Sequence, residues 1–522
     1  MKRCPQCGRE YDMTMSYCLD DGSELLYGPA DEPVTAVMKM AEHENATALF
    51  ADANRSLETR GNSIAILPFV NMSADLDNEY FCDGLAEELL NGLSKVNGLK
   101  VAARMSAFSY KGKNADAAEI GARLGVKNIL EGSVRRSGER LRISVQLVNA
   151  ADGFHLWSER YDRKMQDIFA IQDDIALAVV DALKLKLLGE QRSEVLKKGT
   201  ENAEAYELYL RGRTIWNRRT AADFEKAIRY FEQAIALDPG YAAAYSGLAD
   251  CYSFLGYFEV VPPEAVAPKA AAAVTKALEL DPATAETQAS VAMYKLFFEF
   301  DNRGSEAALR RAIELNPNFA VACYWLCSVL AAQKRFDEAW QFGATAATLD
   351  PLSPVVAANI GRAYCHARMY ETAIDICLKS LEITPDFFFT EWVLGVAYSQ
   401  IGQFDMAIDY LKKSISSSGI IALKSDLGVV VAMAGRTEEA REIIAELEAA
   451  SKERYISPLT IAKIYLALGD TTNGWKWLDE ASNRSSIQLL WLPTEPVYDE
   501  IRQDPRFTEL MRKLEFPESA FA

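Results

Sequence analysis

Histidine is scarce in this chain, with three (His43, His155 and His366) among 522 residues. That leaves little material for a histidine-rich metal centre or for catalysis built on several imidazoles. Cysteine is thin as well: nine in all, far below the density of a disulfide-stapled secreted domain, and three of them crowd into the first 18 positions. Crowding of that kind points to metal binding rather than to oxidised bridges. Long apolar runs are missing; the longest, Phe319 to Ala332, falls short of the roughly 20 residues a membrane helix needs. Basic charge is in deficit, 56 Lys and Arg against 74 Asp and Glu for a net −18, which opposes a general nucleic-acid coat. The opening MKRCPQCGRE has no apolar core behind its basic residues, so no secretory signal is expected and the compartment reads as a reducing cytoplasm. No H-R-D or D-F-G kinase pair, P-loop, G-x-S-x-G or H-E-x-x-H occurs, so no enzyme is expected.

What is present is enough residues for two to four domains, 49% of them hydrophobic, the composition of an ordinary folded protein. Residues 1–27 hold Cys4-Pro5-Gln6-Cys7-Gly8 and Tyr17-Cys18-Leu19-Asp20-Asp21-Gly22, two knuckles about ten residues apart. Cys4, Cys7, Cys18 and Asp21 make a chemically sound set for one zinc ion, since thiolates suit zinc and a carboxylate ligates it too. The pattern resembles a short zinc ribbon, with Asp21 where a fourth cysteine would stand. A degenerate knuckle holding no metal is the competing reading. Residues 28–61, with Pro29, Pro33 and weak periodicity, read as a tether.

From 62 to about 190 the pattern is that of a small mixed α/β domain. Ser63 to Phe69 is a short apolar strand ended by Pro68, and Tyr80 to Leu93 repeats leucine at helical spacing. Leu99 to Ala102 is a second strand, and Ala115 to Leu124 a helix that Gly125 stops. Val126 to Arg136 and Arg140 to Asn149 should pair around Ser137-Gly138-Glu139, with Leu141, Ile143, Val145 and Leu147 on the dry face. Phe154 to Trp157 follows a turn at Asp152-Gly153, and Ile168 to Leu188 is a long amphipathic helix.

The strings Ile66-Leu67-Pro68-Phe69, Tyr80-Phe81-Cys82-Asp83-Gly84-Leu85, Ser109-Tyr110-Lys111-Gly112-Lys113, Leu130-Glu131-Gly132-Ser133-Val134-Arg135 and Leu156 to Asp162 occur in that order. Together they resemble the TolB-like amino-terminal domain. The resemblance implies a bacterial regulator in which such a domain precedes tetratricopeptide repeats, often beside a winged-helix, nucleotide cyclase or kinase domain, and it implies a sensing or docking module without a catalytic site. Residues 95–142 carry eleven Lys and Arg against four acidic residues, a basic island in an acidic chain. An acidic partner or the chain's own acidic part could dock there; a solvated sheet face is the plainer reading.

Prolines set the beat of the next segment. Pro239, Pro282, Pro317, Pro351 and Pro385 are spaced 43, 35, 34 and 34, the tetratricopeptide period after one longer unit. Five residues before them stand Ala234, Ala277, Ala312, Ala346 and Ser380; ten after stand Ala249, Ala292, Cys327, Gly361 and Gly395. Small side chains are needed where two helices cross closely. The period carries on without proline, giving about eight hairpins over residues 203–485, wound into a right-handed superhelix with a concave face for an extended peptide or partner helix. Trp216, Tyr257, Phe258, Phe297, Phe298 and Phe387-Phe388-Phe389 are candidate anchors on that face, although packing between repeats accounts for most such rings. Residues 486–522 should form a C-terminal cap.

The expected fold is therefore multidomain: a zinc-ribbon-like N-terminus, a small mixed α/β domain and an all-α tetratricopeptide repeat superhelix. The expected function is a cytoplasmic adaptor or regulatory scaffold binding protein partners through the concave face. The alternative is a transcription-associated regulator touching nucleic acid through the zinc knuckle and residues 95–142.

Overall fold

The computed structural model describes residues 2–3, 10–11, 26–27, 62–75, 78–185, 192 and 199–521. Contacts divide the chain into Met1–Asp52 and Ala53–Ala522. In the first unit, β1 (Lys2–Arg3) lies between β2 (Glu10–Tyr11) and β3 (Leu26–Tyr27), antiparallel to both, with Lys2 opposite Tyr11 and Tyr27. Cys4, Cys7, Cys18 and Asp21, and the tether 28–61, fall outside the described residues.

The second unit opens with a six-stranded mixed sheet. Strand β4 (Asn62–Ile66) runs parallel to β6 (Leu99–Val101) on one side and to β7 (Asn128–Ser137) on the other. Beyond β7 come β8 (Arg140–Asn149) and the edge strand β9 (His155–Lys164), both antiparallel to their neighbours; the two-residue β5 (Val70–Asn71) pairs with β7 past the end of β4. The alternation in β8 holds: Leu141, Ile143, Val145 and Leu147 are buried. Helix α1 (Glu79–Ser94) connects β4 to β6, and α2 (Arg104–Phe108) and α3 (Ala117–Leu124) lead to β7. Gly125 ends α3 in the left-handed conformation at φ 61°, as its sequence position requires. Helix α4 (Ile168–Ala182) stops six residues before the expected Leu188.

Two elements depart from expectation. Strand β9 extends to Lys164 rather than ending near Trp157, and along it only Tyr161 is buried. Without a dry face its residues carry no alternation, so the pattern could not announce its length. Helix α2 was unannounced because five residues make less than two turns, too short a stretch for a repeating pattern to show.

Among the described residues, sixteen helices between Ala203 and Asn483 pair into eight hairpins. In order they are α5 (Ala203–Trp216) with α6 (Ala221–Leu237), α7 (Ala242–Tyr257) with α8 (Pro263–Leu280), and α9 (Ala285–Tyr294) with α10 (Asn302–Leu315). Then come α11 (Ala320–Ala332) with α12 (Phe336–Leu349), α13 (Pro354–His366) with α14 (Tyr370–Ile383), and α15 (Phe388–Gln400) with α16 (Phe404–Ser418). The last two are α17 (Lys424–Met433) with α18 (Thr437–Ala450), and α19 (Pro458–Ala467) with α20 (Thr471–Asn483). The in-phase small residues sit at the crossings: Ala234, Ala277, Ala312 and Ala346 are fully buried. A Cβ on Gly361 would lie 2.7 Å from the Cys377 sulfur, and one on Gly395 2.5 Å from Leu411. The longer second unit spends its extra residues on longer helices, 16 and 18 residues in α7 and α8, and on the connection between them.

The C-terminal segment only partly caps. Helix α21 (Pro505–Lys513) does sit on the last hairpin, with Arg506 over the Trp475 ring and Lys513 bonded to Ser482. Residues 487–501 instead turn inward and pack across the array. Their apolar run, Leu489-Leu490-Trp491-Leu492, is fully buried, which the inner wall satisfies better than an exposed solenoid end would.

Candidate functional site

Two surfaces of the repeat array are occupied by other parts of the chain. The first is the edge formed by the turns that end each hairpin. Asn318 accepts a hydrogen bond from the Val101 backbone N–H (3.3 Å) and donates to the carbonyls of Ser94 (2.9 Å) and Leu99 (3.1 Å). Asn316 donates to the Ser94 hydroxyl (2.8 Å). Asp350 accepts from the Ser106 N–H (2.7 Å), and the Ser106 hydroxyl accepts from Leu352 N–H (2.8 Å). Two of the five turns that marked the period in the sequence, those at Pro317 and Pro351, thus also dock the α/β domain.

Helix α1 completes that seam against α5. Gly84 lies against the Leu210 side chain. Glu87, buried, is bound by Arg104 (2.8 Å) and Arg213 (3.4 Å); burial pushes its pKa up, and the two guanidinium groups more than reverse this, leaving it below the usual carboxylate value. Tyr80 donates to Glu207 (3.1 Å), which also pairs with Arg136 (2.8 Å).

Five of the eleven basic residues of the island are ion-paired within the chain. Lys111 is bound by Glu79 and Asp83, Arg104 by Glu87, Arg123 by Glu119, Arg136 by Glu207 and Arg142 by Asp162. The chain's own acidic residues dock there. Beyond the end of β4 the strings that carry the family resemblance converge on one cleft of about 750 Å³: Leu67 to Phe69, Tyr110 to Lys113 and Glu131 to Ser133. A cleft beyond the carboxyl end of a parallel strand is where α/β sheets commonly hold ligands.

The second occupied surface is the inner face. Gln488 donates to the Tyr257 carbonyl (2.7 Å), and Ile487 packs against Gly256. Trp491 is clasped between two residues of α13: its ring stacks on His366 (5.1 Å between centroids) and the Arg362 guanidinium lies over it at 3.9 Å. Thr494 bonds the His366 Nδ1 (2.9 Å). Lys463 of α19 is shared by Asp426 of α17 (3.0 Å) and Glu495 (3.1 Å), and Trp392 donates to Asp426 (2.7 Å). Arg368 pairs with Asp499 at the rim (2.9 Å). Burial forces the His366 pKa well below its ordinary value, helped by Arg362, Arg368 and Lys463, so the ring is neutral. Burial also pushes Glu259, which faces Thr460, Lys463 and Asp426, up to about 7.

Of the aromatic candidates, Trp216, Tyr257 and Phe297 are buried, and Phe258, Phe298 and Phe387 to Phe389 are half-buried. Tyr257 and Phe297 stack at 4.7 Å and Phe258 meets Phe388 at 6.0 Å, so rings from distant repeats pack on one another. Arg362, His366, Asp426, Lys463 and Glu495 were missed. The signal for Lys463 was there: a lone charge in the apolar string Ile461-Ala462-Lys463-Ile464-Tyr465-Leu466. Among the described residues, no group of three His, Cys, Asp or Glu is placed to hold a metal, and no helix is long and apolar enough to cross a membrane.

Family models described as tetratricopeptide repeat match residues 219–259, 301–354 and 392–419. The hairpins are tetratricopeptide repeats. The α/β segment, residues 60–177, matches a model described as HilA/YgeH-like transcriptional regulator, second domain. The chain is also 44% identical over 187 residues to "Putative adenylate cyclase 3" of Rhizobium meliloti (strain 1021), covering 36% of this chain and 32% of that protein. It therefore spans about a third of the length of this curated relative. Partial superpositions relate it to the crystal structure of the APC/C hetero-tetramer Cut9-Hcn1 (14% identity, 67% of this chain, 63% of that one, TM-score 0.42). Another is to YrrB, titled a TPR protein with an unusual peptide-binding site (23% identity, 36% and 92% coverage, TM-score 0.24).

Proposed function

We propose that the chain is a non-enzymatic cytoplasmic regulatory scaffold whose tetratricopeptide array engages a protein partner along its inner face, with the TolB-like domain as a docked sensing module. The observation that carries this reading is residues 487–501: a segment of two short 3-10 helices, Ile487–Trp491 and Pro496–Ile501, already lies along the inner face that such arrays offer to partner segments. A partner peptide would compete with it. Affinity capture with the full-length chain, quantified by mass spectrometry, should recover one reproducible partner. Recovery should rise with Trp491→Ala, which loosens the segment, and fall when Lys463→Glu is added. Equal recovery across the three proteins would overturn the reading.

The cyclase relative suggests a shared regulatory stretch rather than shared chemistry, because the match spans a third of that protein. Conversion of ATP to cyclic AMP by the purified chain would remove the non-enzymatic part of the proposal. Cys4, Cys7, Cys18 and Asp21 enter it as a zinc-holding set, to be tested by metal analysis of the purified protein and of Asp21→Ala.

A second reading is favoured by the regulator model at residues 60–177: contact with nucleic acid through the knuckle and residues 95–142. The ion pairs on Arg104, Lys111, Arg123, Arg136 and Arg142 weigh against it. Electrophoretic shift at low and at moderate salt decides, since phosphate contacts weaken steeply with salt.

A further inference from the structure

Between the inner helices α13, α15, α17 and α19 and residues 495–500 there remains a cavity of about 340 Å³. Its size falls at the lower end of the roughly 300–1,000 Å³ typical of small-ligand pockets. Part of its lining is apolar, including Val396, Val430 and Leu466. The polar part of the lining contains Arg362, His366 and Lys463 together with Asp426, Glu495, Asp499 and Glu500.

Arg362 decides what the cavity is for. Its side chain is buried, with 4% of the residue exposed. One guanidinium nitrogen, Nη1, donates to the Tyr257 hydroxyl, and the flat face of the group rests on Trp491. The other edge, Nε and Nη2, has no partner. That edge is the planar fork that receives a carboxylate through two parallel hydrogen bonds, and a shift of the buried side chain is needed to turn it to the cavity. The nearby carboxylates do not fill it, because Asp426 and Glu495 are bonded to Lys463 and Trp392, and Asp499 to Arg368 and Arg502, instead. The Nε2 atom of His366, in the same wall, is also buried without a partner. Buried polar groups are almost always hydrogen-bonded, and an unpaired guanidinium edge is among the costlier exceptions.

We propose that this cavity binds a small amphipathic monocarboxylate, its carboxylate on the Nε and Nη2 edge of Arg362 and its hydrocarbon body against Val396, Val430 and Leu466. With the Thr494 hydroxyl proton moved from the Trp491 carbonyl (3.3 Å) to the His366 Nδ1 (2.9 Å), the imidazole proton sits on Nε2 and supplies a further donor. Because Glu495 to Glu500 form part of the wall, an occupied site also fastens residues 487–501 to the array. The proposal is independent of the partner reading, since it concerns the purified chain alone.

The test uses full-length protein with 3-phenylpropionate and octanoate as probes, and 3-phenylpropan-1-ol and octan-1-ol as their neutral counterparts. Calorimetry should show saturable one-to-one binding of at least one acid, with its alcohol roughly tenfold weaker or worse. Arg362→Lys keeps the charge but loses the fork, and Val430→Trp fills the apolar part while leaving Arg362 in place. Each should cost the acid roughly tenfold or more in affinity. Bound acid should also slow amide exchange over residues 487–501. Saturable binding by neither acid, equal binding of acid and alcohol, or undiminished binding in folded Val430→Trp would each overturn the proposal.

Discussion

The repeat array holds two other parts of its own chain, and holds them by different means. At the turn edge the α/β domain is fixed by short, directional hydrogen bonds to backbone groups, in which Asn316, Asn318, Asp350 and Ser106 all find partners. On the inner face residues 487–501 are fixed by ring stacking and shared charges around Trp491 and Lys463, and unpaired polar atoms remain on Arg362 and His366. The turn contacts themselves are satisfied and have one geometry, although where α1 meets α5 the Nε atoms of Arg211 and Arg213 stay unpaired. A seam that leaves donors unmet is one where binding a further group gains energy. The contrast marks the turns at Asn316 to Asn318 and Asp350 as structural and the inner face, with its cavity beside the unpaired atoms, as the place where state can change.

The largest effect that could break this comparison belongs to Trp491. Its side chain is 2% exposed and clasped by Arg362 and His366. Trp491→Ala should cost about 3–5 kcal/mol from lost burial and the cavity left behind. Hydrogen exchange should localise the loss to residues 487–501 and leave α2 and β6 protected. Uniform loosening of both seams would show that they are not separate.

The counterpart on the turn edge is Asn318→Ala. It removes three hydrogen bonds and leaves the Val101 N–H and the carbonyls of Ser94 and Leu99 to find others. The expected cost is about 2–3 kcal/mol by denaturant unfolding. Faster exchange should appear at β6 and the end of α1, with none at residues 487–501.

How much of this the sequence revealed follows from what kind of signal each part leaves. Helix pairs leave a period, and the 34-residue beat of proline and small residues located the hairpins because every repeat must solve the same crossing. Strand β8 and the Gly125 stop were legible for a similar local reason, one dry face and one left-handed residue. The role of the turns at Pro317 and Pro351 as docking points was not, since a helix-ending residue looks the same whether or not something binds it. Leu489 to Leu492 announced burial, but an apolar run carries no information about which distant wall covers it. Arg362 and Lys463 each stand as a lone charge on an apolar helix, a signal that says "paired or functional" without naming the partner.

A subtler probe of the inner face is its pH dependence. Glu259, with its carboxyl raised by burial to about 7 from the ordinary 4.5, holds its proton longer folded than unfolded. As pH rises past about 4.5 the unfolded chain ionises first, so stability falls until the folded carboxyl releases its proton near 7, and is flat beyond. His366 acts in the opposite sense below its ordinary 6.5, because the unfolded chain protonates there and the folded one does not. Glu259→Gln should remove up to about 1.4 kcal/mol per pH unit of the decline across the window. Melting temperatures of the two proteins at pH values spanning that window measure the difference; identical slopes would mean that Glu259 is solvated in the folded chain.

The smallest effect sharpens the comparison by what it should leave untouched. Arg368 and Asp499 join the array to residues 487–501 at 2.9 Å, yet both side chains are substantially exposed, 38% and 49%. An exposed pair gains little, since water and salt screen it and two long side chains lose freedom to make it. Asp499→Asn should therefore change stability by no more than about 1 kcal/mol, and less as salt rises, with exchange over residues 487–501 hardly altered. If that variant instead freed the segment as Trp491→Ala does, the inner seam would be an electrostatic latch at its rim. The buried rings would then be passengers, and the cavity beside Arg362 would be a consequence of the closure and not its reason.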